Sequence, residues 1–397
     1  MDQPIAAGDC VCYRGTVEYV DGYELGPECL YAGASLGAPV EPDRLSAFLG
    51  QSPAECLTDE ATGTSYCDSL PAELHPPTVY CANLEPSKAL RIAAMATVAV
   101  GVAAPLLRRR VKLPKAAVLA SAWSAPVALC VAAPRSAKRD VAVSILQMWA
   151  YFATYEMPAD DPEELERRAF VDYPVKVDRW LGLGELPGVR LQRAFADPGN
   201  IRAPEKLLVW AHWIWFLVPH ATVAYVFVRR REQFPKAAAM IYGTFDLGLI
   251  GYWLVPTAPP WYAAQKGRLG GDVARTKLGL RRMMIDYGEQ FWRGRWPTLY
   301  DGLAGNPLAA MPSLHFATSV MSAHVLSDVG RAEGTVAWVY AGTLGFALVY
   351  LGEHYVIDLL AGLALVEGIR TAAPRAAPLA EGISRVIQGL EHRAQGT

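Results

Sequence analysis

Three residues near the end of the chain have the types and spacing of a phosphoryl-transfer site: His315, His354 and Asp358. His354 and Asp358 are four apart, so on a helix they share one face. A carboxylate that accepts the Nδ1 proton of a histidine fixes its tautomer and leaves Nε2 free as a nucleophile. A second histidine within reach can give its proton to a leaving oxygen. Ser313 follows Pro312 at a predicted helix start, where unpaired N–H groups and the helix dipole attract phosphate. Together these residues suit phosphoryl transfer through a phosphohistidine, with no metal and no cofactor. Both stretches, Met311-Pro312-Ser313-Leu314-His315 and Gly352-Glu353-His354-Tyr355-Val356-Ile357-Asp358, open apolar runs. Ionisable groups there are costly unless they do chemistry or line a wet cavity.

The elements that must position them are membrane helices. The 397 residues are 52% hydrophobic and 19% charged, with a mean hydropathy of +0.15, against about 25% charge in a soluble protein. The net charge of −2 gives no basic signature, so no nucleic-acid partner is expected. Apolar runs at 89–107, 116–133 (interrupted by Pro126), 141–157, 207–228, 237–255, 312–329, 335–350 and 355–369 predict an all-α polytopic bundle. The fifth run ends in Pro256-Thr257-Ala258-Pro259-Pro260-Trp261-Tyr262, whose prolines cannot continue a helix. Between the third and fourth runs, Asp160-Asp161-Pro162-Glu163-Glu164 reads as an N-cap with an acidic first turn, hence a short surface helix. Trp210, Trp213 and Trp215 read as an interfacial cluster. The tail from Arg370 reads as frayed or interfacial.

Basic residues orient the bundle. Arg229-Arg230-Arg231, Arg331, Arg370 and Arg375, with Arg135, Lys138 and Arg139, place one face in the cytoplasm and both histidine motifs on the outer face of the cell membrane. Arg108-Arg109-Arg110, Lys112 and Lys115 then fall outside, against the rule, unless one of the first two runs does not cross. The expected divisions are a loosely ordered extension (1–86), one or two accessory helices (87–136), a six-helix catalytic domain (137–371) and a polar cytoplasmic tail (372–397). Six of the seven cysteines lie in the extension, without a C-x-x-C pair. They can form disulfides in an oxidising compartment or remain thiols. Met1 to Asp9 is acidic and short of an apolar core, so no secretory signal is expected there.

Pro-Ser-Leu-His at 312–315 and His-Tyr-Val-Ile-Asp at 354–358 resemble the second and third motifs of the type 2 phosphatidic acid phosphatase superfamily. With Ala258-Pro259-Pro260-Trp261-Tyr262, the Leu314 spelling resembles the branch containing the fungal inositol phosphorylceramide synthase catalytic subunit and its bacterial relatives. The resemblance covers about residues 140–370. It implies a six-helix core, His354 as nucleophile, Asp358 orienting it and His315 as acid/base partner. It also implies membrane lipid substrates. Two departures stand out. The Lys-x6-Arg-Pro motif of the wider superfamily is missing, and Leu348 occupies the place of the arginine six residues before the nucleophile. Replacement cations for phosphate would come from Lys266, Arg268, Lys277, Arg281, Arg282, Arg293 or Arg295, with Arg282 the chosen candidate. Pro260, Trp261 and Tyr262 are candidate walls of the lipid entrance, or members of an aromatic belt. His212, near the outer end of the fourth run, could line the cavity. His220 and His324 read as structural, and Asp246 needs a partner. The expected activity is transfer of a phospho-headgroup between lipids. Hydrolysis of a lipid phosphate or polyprenyl diphosphate needs the same residues. A transporter or scaffold would leave the two histidines apart.

Overall fold

The computed structural model of the protein describes residues 86–197, 199–271, 280–298 and 305–396, and four short strands before them. The strands form two pairs: β1 (Cys12–Tyr13) runs parallel to β2 (Cys29–Leu30), and β3 (Cys56–Asp59) antiparallel to β4 (Thr64–Cys67). In register, Cys12 stands opposite Cys29 and Cys56 opposite Cys67. The expectation of a loosely ordered extension otherwise lies outside the described residues.

All eight apolar runs are helices. They are α1 (Pro86–Val111), α2 (Lys115–Ala132, unbroken through Pro126), α3 (Ala137–Glu156), the fourth run, α9 (Phe234–Leu254), α12 (Leu314–Val329), α13 (Arg331–Tyr350) and α14 (Val356–Gln395). The fourth run is two helices, α7 (Ala203–Trp213) and α8 (Leu217–Arg229), bent by 58° at the break. Pro219 has no N–H to donate to the carbonyl four residues back, which is why the helix breaks just before it. The polar stretch between α3 and α7 holds the expected surface helix, α4 (Pro162–Arg168), capped by Asp161 accepting from the Glu164 N–H. It also holds two helices the sequence reading did not resolve, α5 (Asp172–Leu181) and α6 (Pro187–Phe195). Two more short helices, α10 (Pro260–Gln265) and α11 (Met283–Trp292), follow α9.

Four described helices are long and apolar enough to cross a membrane, α1, α2, α9 and α13, and the bent α7–α8 pair makes a fifth. The chain is a multi-pass membrane protein. α12 falls short on length and polarity for a physical reason. It is the central helix, and every residue from Ala317 to Ala323 is buried against α3, α8, α9, α13 and α14. Surrounded by protein, it need not be apolar toward lipid. Its hydroxyls bond within the helix: Thr318 to the Leu314 carbonyl, Ser319 to His315, Ser322 to Thr318 and Ser327 to Ala323. Each therefore enters the core with its donor satisfied.

Ion pairs define the two ends of the bundle. At one end Arg231 pairs with Asp140, Lys236 with Asp328, and Tyr225 donates to Glu333. The tail belongs to this end: α14 runs on past Arg370, through Pro374 and Pro378, until Glu391 pairs with Arg139 (2.7 Å) and Arg135 (3.3 Å). This pairing explains why the tail is helical and docked. At the other end Arg108 and Arg109 pair with Asp160. Burial raises the Asp160 carboxyl, but the two guanidiniums outweigh it and hold it below its ordinary value. Arg108 and Arg109 thus lie opposite the main basic face and are paired locally, and both of the first two runs take part in the helical bundle.

Candidate active site

The site is built where three helix starts and one turn converge at the Asp160 end. The proline segment after α9 is held extended. Thr257 N–H donates to the Leu308 carbonyl, Ala310 N–H to Thr257, and Ala258 N–H to Phe170. Pro312 then leads into α12. Ser313 caps this helix, its Oγ accepting from the Phe316 N–H at 3.4 Å, while its own N–H donates to the Asp358 carbonyl at 2.9 Å. That bond ties the start of α12 to the start of α14. Ser313 is fully buried, and its side-chain oxygen is spent on the cap. Leu314 fills the space left by Gly248 on α9, where an added Cβ would meet Leu314 Cδ2 at 2.3 Å.

The turn between α13 and α14 presents His354. Gly352 sits at φ +77°, a left-handed conformation that favours glycine. The Glu353 and His354 N–H groups both donate to the Leu348 carbonyl at 3.0 Å. The first turn of α14 is capped from a distance by Asp178 of α5, whose Oδ1 accepts from the Ile357 N–H at 3.0 Å. Burial pushes the Asp178 carboxyl up to about 6, against the pull of the Ile357 and Val356 N–H groups.

The three predicted residues meet. Asp358 Oδ2 lies 3.1 Å from His354 Nδ1 and also accepts from the Tyr355 N–H at 2.9 Å. His354 Nε2 lies 3.2 Å from His315 Nδ1. With Asp358 as carboxylate, His354 donates from Nδ1, so its Nε2 is the acceptor and His315 Nδ1 carries the donor proton. His315 is held by two rings, His212 (centroids 4.9 Å apart, 24° between planes) and Trp215 (4.0 Å). The convergence of His315 and His354 is the opposite of what a transporter or scaffold reading requires.

The other predicted residues divide. Pro260 is buried at the start of α10. Trp261 carries the Arg282 guanidinium on its ring face at 3.9 Å, and Arg282 reaches Glu353 at 3.5 Å. Tyr262 is turned elsewhere, beside the Lys266–Glu166 pair. Among the other cations, Lys266 is paired with Glu166, Arg268 with Asp172, and Arg281 with Asp286 and the carbonyls of Asp197 and Asn200. Arg293 and Arg295 lie in a short turn after α11, and Lys277 lies outside the described residues. Leu348 is fully buried, so the family's usual arginine position here is a core position. The tryptophan cluster is a correction: Trp213 stacks on Tyr287 at 5.5 Å beside Trp292 and Trp296, and Trp215 packs on His315. Only Trp210 of the three is exposed. Asp246 finds its partner in Gln147, at 2.6 Å, and His324 in Glu367, at 3.1 Å.

Comparison with known proteins agrees with this arrangement. A model described as PAP2 superfamily matches residues 175–371. That segment, just under half of the chain, is similar to a PAP2-superfamily domain. Two relatives of the chain carry names of the expected branch. The phosphoinositol dihydroceramide synthase of Bacteroides thetaiotaomicron is 32% identical over 149 residues, 34% of this chain and 44% of that protein. The inositol phosphorylceramide synthase catalytic subunit of Schizosaccharomyces pombe is 28% identical over 132 residues, 32% of this chain and 30% of that protein. The chain thus spans less than half the length of either relative. No solved structure matches it. The resemblance read from Pro312–His315 and His354–Asp358 is borne out. The same segment also contains residues that sequence reasoning missed or underweighted. His212 had a place in the fourth run but no assigned neighbour. Glu353 stood beside the nucleophile candidate unremarked. Asp178, far away in sequence, had no signal.

Proposed function

We propose that the protein is a membrane lipid phosphotransferase that moves a phospho-headgroup, inositol phosphate-like, between lipids through a phosphohistidine on His354. The observation that carries this reading is the hydrogen-bonded series Asp358–His354–His315. Residues 137–371 form the catalytic unit, and the site faces away from the cytoplasm, opposite the Arg229–Arg231 end. The names of the two relatives support a synthase over a plain phosphatase.

A lipid phosphodiester enters between the two rings and takes over the hydrogen bond that His315 gives to His354. His354 Nε2 attacks phosphorus, and Asp358 stabilises the imidazolium that forms. The bond from phosphorus to the departing lipid oxygen breaks, and His315, as the imidazolium that the bound phosphate favours, hands its Nδ1 proton to that oxygen and becomes neutral. The acceptor hydroxyl then attacks the phosphohistidine. His315 takes the hydroxyl proton, the P–N bond breaks, and both histidines return to their starting state. In this reading Arg282, laid on Trp261, is the cation that meets the phosphate oxygens.

The test is a brief reaction of purified protein in lipid vesicles with a phospholipid donor labelled at phosphorus. An acid-labile, base-stable label on the protein is expected in the wild type and none in His354→Ala. Full turnover by His354→Ala on every lipid phosphate tried overturns the mechanism.

A further inference from the structure

Four glutamates are buried among the described residues: Glu185, Glu205, Glu353 and Glu391. Three have both carboxylate oxygens bonded. Glu185 receives Arg193 and Arg190, Glu205 receives Arg202 and the Tyr350 hydroxyl, and Glu391 receives Arg139 and Arg135. Glu353 is the exception. Its Oε2 has one contact, from Arg282, at 3.5 Å, the limit of a hydrogen bond. Its Oε1 is buried with no hydrogen-bond partner among the described residues. A buried carboxylate with an unmet lone pair is costly, because water has been removed and nothing has replaced it. It is also the residue next to His354.

We infer that Glu353 receives a hydroxyl group of the substrate, so that the site selects a phosphate bearing a polyol headgroup. This rests on the reading of His354 as the residue that meets phosphorus. A group that reaches both His354 and its chain neighbour is one attached directly to that phosphorus, which makes it the headgroup and not a distant acyl chain. The missing partner is a neutral O–H donor. Arg282 already supplies the positive charge, and a second cation would leave the pair over-neutralised. Trp261 covers one face of the Arg282 guanidinium and so keeps the charge near Glu353 from turning to water. Burial raises the Glu353 carboxyl above its ordinary value, with Arg282 and His354 pulling the other way.

The experiment measures binding of inositol 1-phosphate and of inorganic phosphate to the purified full chain in detergent. Wild type, Glu353→Ala and Glu353→Gln are compared, each checked for an unchanged melting temperature. The wild type should bind inositol phosphate about 10–100-fold more tightly than phosphate, the range of a hydrogen bond to a charged acceptor. Glu353→Ala should lose that preference while its phosphate affinity stays within about threefold, and Glu353→Gln, whose amide oxygen still accepts, should keep part of it. Equal binding of the two ligands by the wild type overturns the inference. So does an equal loss for both ligands in either variant, which would mark Glu353 as a support for Arg282 alone. Should Glu353→Ala fail to fold, Glu353→Gln decides by the same comparison. Failure of the underlying reading shows separately, as a phosphohistidine label that survives His354→Ala.

Discussion

Asp358 and Glu353, at one end of the bundle, are withdrawn from water beside two histidines, whereas Asp328 and Lys236, at the other end, meet with side chains 62% and 73% exposed. The same kinds of group are treated in opposite ways. In the Lys236–Asp328 pair each charge keeps most of its hydration, and the pair contributes little beyond marking one end of the bundle. At the site end carboxylates are desolvated and left incompletely bonded: Asp358 Oδ1, Glu353 Oε1 and His212 Nδ1 all lack partners among the described residues. Glu353 adjoins His354 in the chain, Asp358 bonds its Nδ1 and His212 stacks on His315, so this unmet capacity lies beside the two histidines. An enzyme that binds a charged, hydroxylated headgroup needs such capacity held in reserve.

This contrast can be broken by substitution. The largest effect is expected from His354→Ala, which should lower turnover about 10⁴-fold or more, the scale of nucleophile loss, with the helical content by circular dichroism unchanged. Asp358→Asn should follow, losing about 10²–10⁴-fold in kcat because the amide no longer fixes the His354 tautomer; a kcat within a fewfold of wild type would show that Asp358 only caps its turn. Asp178→Asn separates structure from chemistry at the site end. The folded protein holds the Asp178 proton up to about 6, above the ordinary 3.8. Stability is therefore greatest below that ordinary value and falls as pH rises through the window from 3.8 to about 6. The melting temperature of the wild type should carry this slope, and Asp178→Asn should flatten it. The smallest effect belongs to the exposed end. Lys236→Ala should change stability by under about 0.5 kcal/mol and turnover not at all, checked by thermal melting and the same transfer assay. A large loss there would erase the distinction between the two ends.

The elements that carry a strong local signal were legible in the sequence. The apolar runs give eight helical stretches because burial in lipid or protein demands long apolar segments, and the four-residue spacing brings His354 and Asp358 together, with His354 in the turn before α14 and Asp358 reaching back to it and to the Tyr355 N–H. What the sequence concealed depends on tertiary contact. An interfacial helix is one expectation for the tail, but its docking is invisible until Glu391 is seen against Arg139, about 250 residues earlier. Trp213 and Trp215 have the composition of a belt but face inward, since an aromatic ring is equally at home at an interface and in a core. The cap on α14 comes from Asp178 on another helix, so no local capping pattern announces it. The break between α7 and α8 was marked by Pro219, and the apolar character around it hid the signal.

The pairing of Arg108 and Arg109 with Asp160 has a consequence for biogenesis. Three consecutive arginines in the last turn of the first helix favour keeping that helix end on the same side as Arg229–Arg231, and the fold has it at the opposite end of the bundle. The acid that resolves the conflict is 52 residues further along the chain from Arg108, beyond two more helices. A nascent chain that has not yet reached Asp160 carries a topological instruction at odds with its destination. The first hairpin of a chain cut short before Asp160 is therefore expected to orient differently from that of the full chain, which accessibility mapping of truncated chains would read.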